Sequence, residues 1–591
     1  MNKSTNTTQK DESNRIANFT TKRLEDKPVE PVRGADIIRE SITRQAVQKI
    51  FAYPGAATVE IHHSFLRSAE VEILLARHEQ GAAFAAQGYA RSSGKVGVCM
   101  ATSGPGATNL LTGIQGAAMD SVPLVALTGQ VATDAIGTDA FQETDVLNAT
   151  NQMTKRSFQI RSTEEIPGIL NAAFELARSG RPGPVLVDIP KDVQKGYARP
   201  DFTETLELNP TPARSNPEPD PAAINQAISW LNSADKPVTC AGGGVISAAA
   251  SRDLIDLATR ARIPVATTLK GLGSFPENHE LSLGLLGMHG TEYANLAVAN
   301  ADLLLAVGTR FSDRVTGDVD RFAPHAKIIH IDIDPAEINK NKPADLGIES
   351  DARLALEQLK EKLNRGGNYG PWLNKLAEWK QNRPLRYRDR EDAILPQEVC
   401  EQLSRLTDGQ TILASGVGQH QMFAAQFYQF RRPRTWLSSS GLGAMGFGYP
   451  AALGAQAANP KQQVVVVDGD GSFLMNVQEL ATAAQHDLPV KAIIINNRHL
   501  GMVAQFEDKF YAGDRADTDL SDPEVDFVGI CEAYGIPAGK IGRARELKPA
   551  LEELLDHDGP RVLEVEVPYQ DDVLPMIPAG GSIEDMIVPE V

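Results

Sequence analysis

The chain has few cysteines, no long apolar run and no excess of positive charge, and each shortage excludes a class of protein. Its four cysteines among 591 residues lie far apart, which suits neither a disulfide framework nor a cysteine-rich metal site. The net charge of −18 argues against a surface for nucleic acid or anionic membranes. No apolar run approaches the ~20 residues of a membrane helix. We therefore expect an ordinary globular protein with no nucleic-acid or membrane partner.

The N-terminal segment also lacks the features of a targeting sequence. Its first thirty residues are polar and of mixed charge, without the apolar core of a secretory signal. Their acidic residues are atypical of a mitochondrial or plastid transit peptide. We predict a disordered tail over residues 1–31 and a cytoplasmic location.

The chain is long enough for three or four domains at ~150 residues each. Short apolar runs alternate with helical patterns in three ranges, which is typical of parallel α/β domains. The predicted fold is α/β, with three doubly wound parallel-sheet domains. The predicted ranges are 32–198, 222–365 and 395–575 for the domains, 199–221 and 366–394 for linkers, and 576–591 for a C-terminal tail.

The most informative stretch is Gln463–Met502. It contains a β-branched apolar run, a Gly-Asp-Gly turn, a helical pattern over 476–486, and a second apolar run ending in two asparagines. Such a β-α-β crossover makes the two strands parallel. Asp470 and Asn497 therefore lie at the carboxyl ends of neighbouring strands, the edge where open α/β sheets bind ligands.

The residue types at this edge suit a hard cation and a phosphate ester. A carboxylate and an amide oxygen are typical ligands of Mg²⁺, which completes its octahedron with water and phosphate oxygens. Gly469 and Gly471 allow the backbone to approach a diphosphate. A Gly-Asp-Gly alone would be equally consistent with an ordinary βα turn. The strand, helix and paired asparagines in register favour a site for Mg²⁺ and a diphosphate.

Glu79 is a second candidate, at the junction of a predicted strand and helix in the first domain. By itself it is an acid at a helix N-terminus, favoured by the helix dipole. In the string HEQGAAFAAQGYAR it resembles the activating glutamate of thiamine diphosphate enzymes. Those enzymes need one carboxylic acid against the aminopyrimidine ring of the coenzyme.

Over residues 32–568 the chain resembles the catalytic subunits of the acetohydroxyacid synthase (acetolactate synthase) family. The strings that carry the resemblance are YPGA, RHEQGAAFAAQGYARSSG, TSGPGATN, GTDAFQET, GRPGPVLVDIPKDV, LLGMHGT, GTRFSDRVTG, GVGQHQM, SSSGLGAMGFGYPAALGAQ, VDGDGSF and NNRHLGMVAQF. The resemblance implies decarboxylative condensation of pyruvate with a second 2-oxo acid. The products would be 2-acetolactate, or 2-aceto-2-hydroxybutanoate from 2-oxobutanoate, in the first common step of valine, leucine and isoleucine synthesis.

The resemblance also implies coenzyme roles. The C-terminal domain would hold Mg²⁺ and the diphosphate, and the N-terminal domain would hold the pyrimidine. A methionine in an apolar helix is usually core, so the wedge role of Met445 rests on the resemblance alone. The implied residues are Asp470, Asn497 and the carbonyl of His499 for the metal; Gly418, Gln419, His420, Gly471 and Ser472 for the diphosphate; Gly443, Met445, Tyr53, Glu79, Pro105 and Asn109 for the pyrimidine and thiazolium; and Phe141 and Gln142 for the substrate.

The central domain is expected to bind FAD, with a structural role because the net reaction moves no electrons. Its glycine triplet is not G-x-G-x-x-G and would otherwise indicate only a tight turn. Cations near the thiazolium would suit anionic pyruvate, because guanidinium pairs well with carboxylate. The implied residues are Arg181, Gly242, Gly243, Gly244, Thr268, Leu269, Met288, His289, Arg310, Asp332 and Asp351 for FAD, and Lys191, Arg314, Met502 and Phe506 for the substrate channel.

Three positions depart from the commoner pattern of the family. Phe506 replaces a tryptophan and keeps a stacking face but loses area and the indole N–H. It leaves the preference for 2-oxobutanoate and the sensitivity to herbicides open. Ser312 replaces an aspartate near the flavin, and Ala56 replaces a glycine of the substrate pocket.

The resemblance implies a homodimer or dimer of dimers, with Glu79 facing the diphosphate site of the other subunit, and a separate small regulatory subunit. Pyruvate oxidase, glyoxylate carboligase and a flavin-free catabolic acetolactate synthase are alternatives with the same architecture. A nucleotide-binding electron carrier or an inactive partner subunit is an alternative of another class. Either would be expected to lack Glu79 or the Asp470–Asn497 pair, and the sequence has all three.

Overall fold

Short β-branched runs separated by helices favour buried parallel strands, and the structure contains three sheets of this kind. The structure is a computed structural model that describes residues 30–206, 216–363, 367–387, 390 and 393–589. Parts of the predicted tails and linkers lie outside these ranges, namely residues 1–29, 207–215, 366, 388–389, 391–392 and 590–591.

Each large sheet has six strands, and every strand pair within it is parallel. A two-stranded antiparallel pair, β1 with β8, closes the ends of the first domain. The strands are β1 (Val32–Arg33), β2 (Lys49–Tyr53), β3 (Glu72–Leu75), β4 (Gly97–Ala101), β5 (Leu124–Gln130), β6 (Arg156–Gln159), β7 (Pro184–Pro190), β8 (Tyr197–Ala198), β9 (Pro237–Ala241), β10 (Val265–Thr267), β11 (Ser282–Leu285), β12 (Leu303–Val307), β13 (Lys327–Asp332), β14 (Leu346–Glu349), β15 (Ile412–Ser415), β16 (Trp436–Ser438), β17 (Val464–Gly469), β18 (Lys491–Asn496), β19 (Ala538–Ile541) and β20 (Arg561–Glu566).

The strand orders confirm the predicted fold class of three doubly wound sheets. The first sheet has the order β3-β2-β4-β5-β7-β6 and the third has β16-β15-β17-β18-β20-β19, which is the same pattern. The central sheet has the order β11-β10-β9-β12-β13-β14. The order reverses between β2 and β4, between β9 and β12, and between β15 and β17. Ligands of open α/β sheets bind at such switch points.

Helices cover the sheets. Many begin at a proline in the first turn or at a side chain that accepts a backbone N–H, as helix starts require. The helices are α1 (Gly34–Arg44), α2 (Val59–Phe65), α3 (Glu79–Ser93), α4 (Pro105–Asn109), α5 (Leu111–Met119), α6 (Val146–Thr150), α7 (Ile166–Arg178), α8 (Lys191–Lys195), α9 (Pro221–Ser233), α10 (Gly243–Ser247), α11 (Ser251–Ala261), α12 (Glu292–Ala299), α13 (Asp313–Thr316), α14 (Ala352–Lys362), α15 (Gly370–Asn382), α16 (Pro396–Leu406), α17 (Gln419–Phe427), α18 (Gly448–Ala458), α19 (Asp470–Leu474), α20 (Leu480–Gln485), α21 (Gly501–Phe510), α22 (Phe527–Ala533) and α23 (Ala544–Asp556).

The first and third domains share one hydrophobic core. Alanines of α3 and α18 belong to the same buried cluster as strand residues of both sheets. The two helices approach each other closely because glycines occupy the contact. A Cβ on Gly88 would lie 1.9 Å from the carbonyl oxygen of Ala451, and one on Gly454 would lie 1.7 Å from that of Ala85. Only glycine fits at these positions.

Several elements differ from the sequence prediction. The range 366–394, predicted as a linker, contains α15, whose Trp372 and Leu376 are buried in the central domain. Its apolar residues are helically spaced but too sparse for the segment to be distinguished from a linker. The helix predicted over 476–486 is instead a 3₁₀ turn at Val477–Glu479 followed by α20. The strands that were not predicted are β1, β6, β8, β11, β14, β15, β16, β19 and β20, most of which are short or lie at sheet edges and have little apolar pattern.

The C-terminal segment packs on the central domain. Arg321 forms ion pairs with Glu584 and Asp585. Met576 and Ile587 form an antiparallel bridge. Of the residues that the structure describes, none belongs to a helix both long and apolar enough to cross a bilayer.

The close contact of α3 and α18 predicts a strong effect of adding one side chain. Gly454→Val should lower the midpoint of thermal unfolding and cost about 3 kcal/mol or more, because the helices must separate to accommodate it. Circular dichroism during heating measures the change. Gly370→Ala is a matched control, since a Cβ there meets only the side chain of Asn368 at 3.6 Å. Equal midpoints for the two variants would contradict the packing argument.

Candidate active site

The carboxyl ends of the third sheet surround a small cavity of about 80 Å³. Loops after β15, β17 and β18 contribute its walls, as the switch point between β15 and β17 requires. The fold therefore brings together candidate residues that the sequence analysis selected in all three loops. Those lining the cavity are Gly418, Gln419, His420, Met445, Asp470, Gly471, Ser472, Asn497, His499 and Met502.

Asp470 and Asn497 lie at neighbouring strand ends. Asp470 is the first residue of α19 and is buried, and Asn497 follows β18 directly. Asn497 is held in place by its side chain, which donates to Oε1 of Gln419 at 3.2 Å and accepts the N–H of His499 at 3.0 Å. Burial raises the pKa of the Asp470 carboxyl to about 7. Among the described residues Asp470 has no cationic side chain in ion-pair contact, so a bound cation would compensate its charge.

His420 and Asp468 form a polar contact that the sequence analysis missed. Nε2 of His420 lies 3.2 Å from Oδ1 of Asp468, and both side chains are buried. A Cβ on Gly469 would lie 2.6 Å from Nδ1 of the same histidine. The glycine therefore gives the ring room beside Asp470. The first aspartate of the string VDGDG was the available signal.

A second group of predicted residues lies at the carboxyl ends of the first sheet. The buried Glu79 begins α3, and its Oε2 accepts a hydrogen bond from Nδ2 of Asn109 at 3.0 Å. Gln142 has a left-handed backbone with φ of 62° and lies against Gly104. Phe141 beside it is 88% exposed. The remaining predicted residues of this group are Tyr53, Pro105 and Lys191.

This second group does not line either of the two cavities described here. In a single chain the structure therefore does not bring Glu79 to the Asp470 cavity. Glu79 is, however, tied to the third domain through its backbone. The carboxylate of Glu479 accepts the N–H groups of Arg77 and His78 at 3.0 Å each. These are the two residues before Glu79, so Glu479, which the sequence analysis missed, positions the start of α3.

A larger cavity of about 810 Å³ extends from the central sheet to the third domain. The switch point between β9 and β12 forms one end of it. Ten of the eleven residues expected to bind a flavin line it. The exception is Gly242, which packs against the carbonyl of Gly308. The ten are Arg181, Gly243, Gly244, Thr268, Leu269, Met288, His289, Arg310, Asp332 and Asp351.

Some of these side chains already have partners in the protein. Arg181 pairs with Glu337 at 2.6 Å, and Oδ1 of Asp351 accepts the N–H of Arg353 at 2.8 Å at the start of α14. Burial raises the pKa of Asp332 to about 6 and lowers that of His289 to about 4. The cavity therefore combines buried polar groups with apolar walls, as sites for large cofactors do.

The two cavities share a wall. Val417, Gly418, Met445, Met502 and Val503 line both. The predicted channel residues Arg314 and Phe506 line the larger one, as do Gly443 and Ser312. Ala56, by contrast, lies outside both cavities, at an exposed position after β2.

The loop that carries Gly443 is positioned by a residue of the first domain. The buried Asp120 accepts the N–H groups of Ser440 at 3.0 Å and Gly441 at 2.9 Å. It also pairs with Arg91 at 2.7 Å. No local motif marks Asp120, because its partners in the loop, Ser440 and Gly441, are more than 300 residues away in sequence.

Comparison with known families agrees with this geometry. Three family models match: the N-terminal TPP binding domain of thiamine pyrophosphate enzymes at residues 32–153, their central domain at 224–359, and their C-terminal TPP binding domain at 416–565. Thiamine pyrophosphate enzymes are therefore the class that the fold and the site match.

Similar proteins identify the family within this class. The chain is 51% identical to acetolactate synthase 3, chloroplastic, of Brassica napus, over 95% of this chain and 87% of that protein. It is 50% identical to acetolactate synthase, chloroplastic, of Arabidopsis thaliana, over 95% and 85%. It is 50% identical to acetolactate synthase 1, chloroplastic, of Zea mays, over 95% of this chain and 89% of that protein. The chain belongs to the acetolactate synthase family.

These names also correct one expectation. The relatives are chloroplastic, which contradicts the cytoplasmic location expected from the N-terminal composition. The composition of a short polar segment does not determine which compartment a protein reaches. That segment, residues 1–29, lies outside the described residues.

The raised pKa of Asp470 predicts pH-dependent metal binding. A Mg²⁺ ion at this site would bind the ionised carboxylate, so below about pH 7 protons would compete and the affinity should fall by up to about tenfold per pH unit. Above that value the carboxylate is ionised and this dependence should disappear. Calorimetric titration with Mg²⁺ at saturating thiamine diphosphate measures it. Because titration of the coenzyme phosphate is common to both proteins, the difference between wild type and Asp470→Asn isolates the carboxylate.

The exposed Asp487 offers a control in the same domain, and Asp487→Asn should bind Mg²⁺ like the wild type. An identical pH profile in wild type and Asp470→Asn would show that this carboxylate is not a ligand.

Proposed function

We propose that this chain uses Mg²⁺, thiamine diphosphate and bound FAD to condense pyruvate with a second 2-oxo acid, with loss of carbon dioxide. Pyruvate as the acceptor gives 2-acetolactate, and 2-oxobutanoate gives 2-aceto-2-hydroxybutanoate. Family membership supports the pyruvate reaction. The observation that carries the proposal is the single cavity lined by Asp470, Asn497 and the glycines of three strand ends.

The residues present fit a diphosphate held through a divalent ion. Asp470, Asn497 and the carbonyl of His499 would hold Mg²⁺, and Gly418, Gln419, His420, Gly471 and Ser472 would contact the diphosphate. When bound, thiamine diphosphate supplies the carbon nucleophile and accepts electrons during decarboxylation. Gly443 would orient the pyrimidine through its backbone, and Met445, between the two cavities, would hold the coenzyme bent.

The proton relay needs a carboxylic acid, and Glu79 is the candidate. Its buried carboxyl is oriented by Asn109 and by the anchored start of α3. Tyr53 and Pro105 would complete the pyrimidine contacts, and Phe141 and Gln142 would face the substrate. Because Glu79 lines neither cavity of its own chain, we propose that a second copy supplies it.

Exposed apolar side chains support such an assembly. Phe141, Met475 and Val503 are at least half exposed in one chain, on loops and helices around the proposed sites. Covering them in a homodimer would remove this area from water. Higher assembly into a dimer of dimers, and a separate small regulatory subunit, are proposed from the family resemblance alone.

The larger cavity would hold FAD in a structural role. Its volume of about 810 Å³ and its polar ends suit a dinucleotide. Arg314 and Phe506 lie on its side toward the coenzyme cavity, where a channel for the substrate is proposed. With Lys191 from the partner subunit's first domain, Arg314 would attract the carboxylate of pyruvate.

A product assay tests the activity. The purified protein, with pyruvate and 2-oxobutanoate together, should form both acetohydroxy acids only when Mg²⁺ and thiamine diphosphate are present. Acetyl phosphate or hydrogen peroxide would indicate a pyruvate oxidase, and tartronate semialdehyde from glyoxylate would indicate a carboligase of that substrate. Formation of none of these products would reject the proposed activity.

A mixing experiment tests the shared site. Glu79→Gln and Asp470→Asn should each lose most turnover while retaining the fold, because each removes one half of every site. If the halves come from different chains, heterodimers have one intact site. After denaturation and refolding together, the mixture should recover about a quarter of wild-type activity.

The control is each variant refolded alone, which should remain inactive. Acetolactate formation measures the recovery, and size-exclusion chromatography checks that dimers form. A mixture that stays as inactive as its components, although dimers have formed, would place Glu79 and Asp470 in one chain.

A further inference from the structure

Lys270 is a cation of the larger cavity that no sequence motif selected. It lies in the 3₁₀ turn Leu269–Gly271, after β10, and lines the cavity. Its aliphatic stem crosses the glycine turn at the start of α10. A Cβ on Gly243 would lie 2.8 Å from Cδ of Lys270. The absence of a side chain at Gly243 therefore leaves the path that the lysine occupies.

Most cations of this cavity already have partners. Arg181 pairs with Glu337, Arg314 with Asp313 at 3.2 Å, and Arg353 with Glu357 at 3.5 Å. Lys270 and Arg310 differ from them. Within the described ranges neither side chain has an ion pair or a hydrogen bond, although both line the cavity.

The acid that interacts with Lys270, Asp120, does not pair with it. Asp120 interacts with it electrostatically but is already bound by Arg91 and by two backbone N–H groups. Burial lowers the pKa of Lys270 to about 7, and repulsion from Arg91, Arg310 and Arg181 adds to this effect. Two cations without partners thus lie close enough to repel each other in one cavity, an arrangement that an entering dianion would stabilise.

We propose that Lys270, together with Arg310, binds the diphosphate of the dinucleotide in this cavity. The inference rests on the FAD site proposed above and adds a residue to it. A diphosphate carries two negative charges, which would balance the charges of Lys270 and Arg310, whereas oxidised flavin and adenine are neutral. Phosphate oxygens also accept strong charge-assisted hydrogen bonds from an ammonium group.

The same placement predicts proton uptake on binding. A diphosphate stabilises the charged lysine, so the affinity should be highest below about pH 7 and should fall as the pH rises above it. The other groups facing Lys270 are Asp120, Arg91, Arg310 and Arg181. Across the cavity, Asp332 and His289 have pKa values of about 6 and about 4. They titrate below the window in which Lys270 changes charge.

The experiment measures the affinity of the flavin-free full-length protein for FAD, ADP-ribose and riboflavin between about pH 6.5 and pH 9. Lys270→Met should weaken FAD and ADP-ribose by about 10- to 100-fold, the range for a lost charged hydrogen bond. Riboflavin, which has no phosphate, should bind unchanged. Lys270→Arg should keep the affinity for FAD and lose the pH dependence, because guanidinium stays charged.

Lys362→Met removes the same charge from an exposed position of α14 and is the matched control, with wild-type affinities expected. A wild-type protein that binds no FAD would reject the proposed cofactor itself. Wild-type FAD binding with an unaffected Lys270→Met, or equal weakening of riboflavin, would reject the diphosphate contact. If circular dichroism shows that Lys270→Met does not fold, Lys270→Arg provides the test, since a retained pH dependence of its FAD affinity would also reject the diphosphate contact.

Discussion

Parallel strand pairing is the constraint on which the arrangement of candidate functional residues depends. A parallel pair requires a crossover, and successive crossovers place the carboxyl ends of all strands at one edge. Where the winding reverses, two loops separate and leave a crevice. All three sheets have such a reversal, and the Glu79, glycine-triplet and Asp470 regions each lie beside one. The candidate functional residues thus cluster at three positions that topology determines.

The site is held by polar groups that the fold alone does not fully compensate. Among the described residues Asp470 is buried without a cation in ion-pair contact, the buried Oδ2 of Asp468 has no hydrogen-bond partner, and Nε2 of His420 has only its 3.2 Å contact with Oδ1 of Asp468. Such groups lower the stability of the empty protein unless a ligand compensates them. Some other buried charges are bound within the protein, as Asp120 and Glu479 are by backbone N–H groups. A cation and a charged coenzyme bound at this site would compensate these groups.

Sequence patterns predicted the central strands β2, β4, β5, β9, β12, β17 and β18, because apolar runs there are buried on both faces. The apolar runs Pro237–Ala241 and Leu303–Val307, which the sequence predicts as strands, are β9 and β12. The edge strand β3 was predicted, whereas the other edge strands, the central strand β15 and α15 were missed because short or apolar-poor segments have little pattern. At the site, Asp470, Asn497 and the glycine turn could be predicted since they belong to one local motif. Asp120, Glu479 and Lys270 could not, because their significance depends on contacts between segments distant in sequence.

The packing of α3 against α18 has a consequence for motion. At Gly88 and Gly454 the helix backbones are in direct contact, which leaves no layer of side chains along which the helices could slide. The first and third domains of one chain must therefore move as a rigid body. Any opening and closing during a catalytic cycle would then involve segments outside this contact. The rates of substrate entry and product release would be determined there.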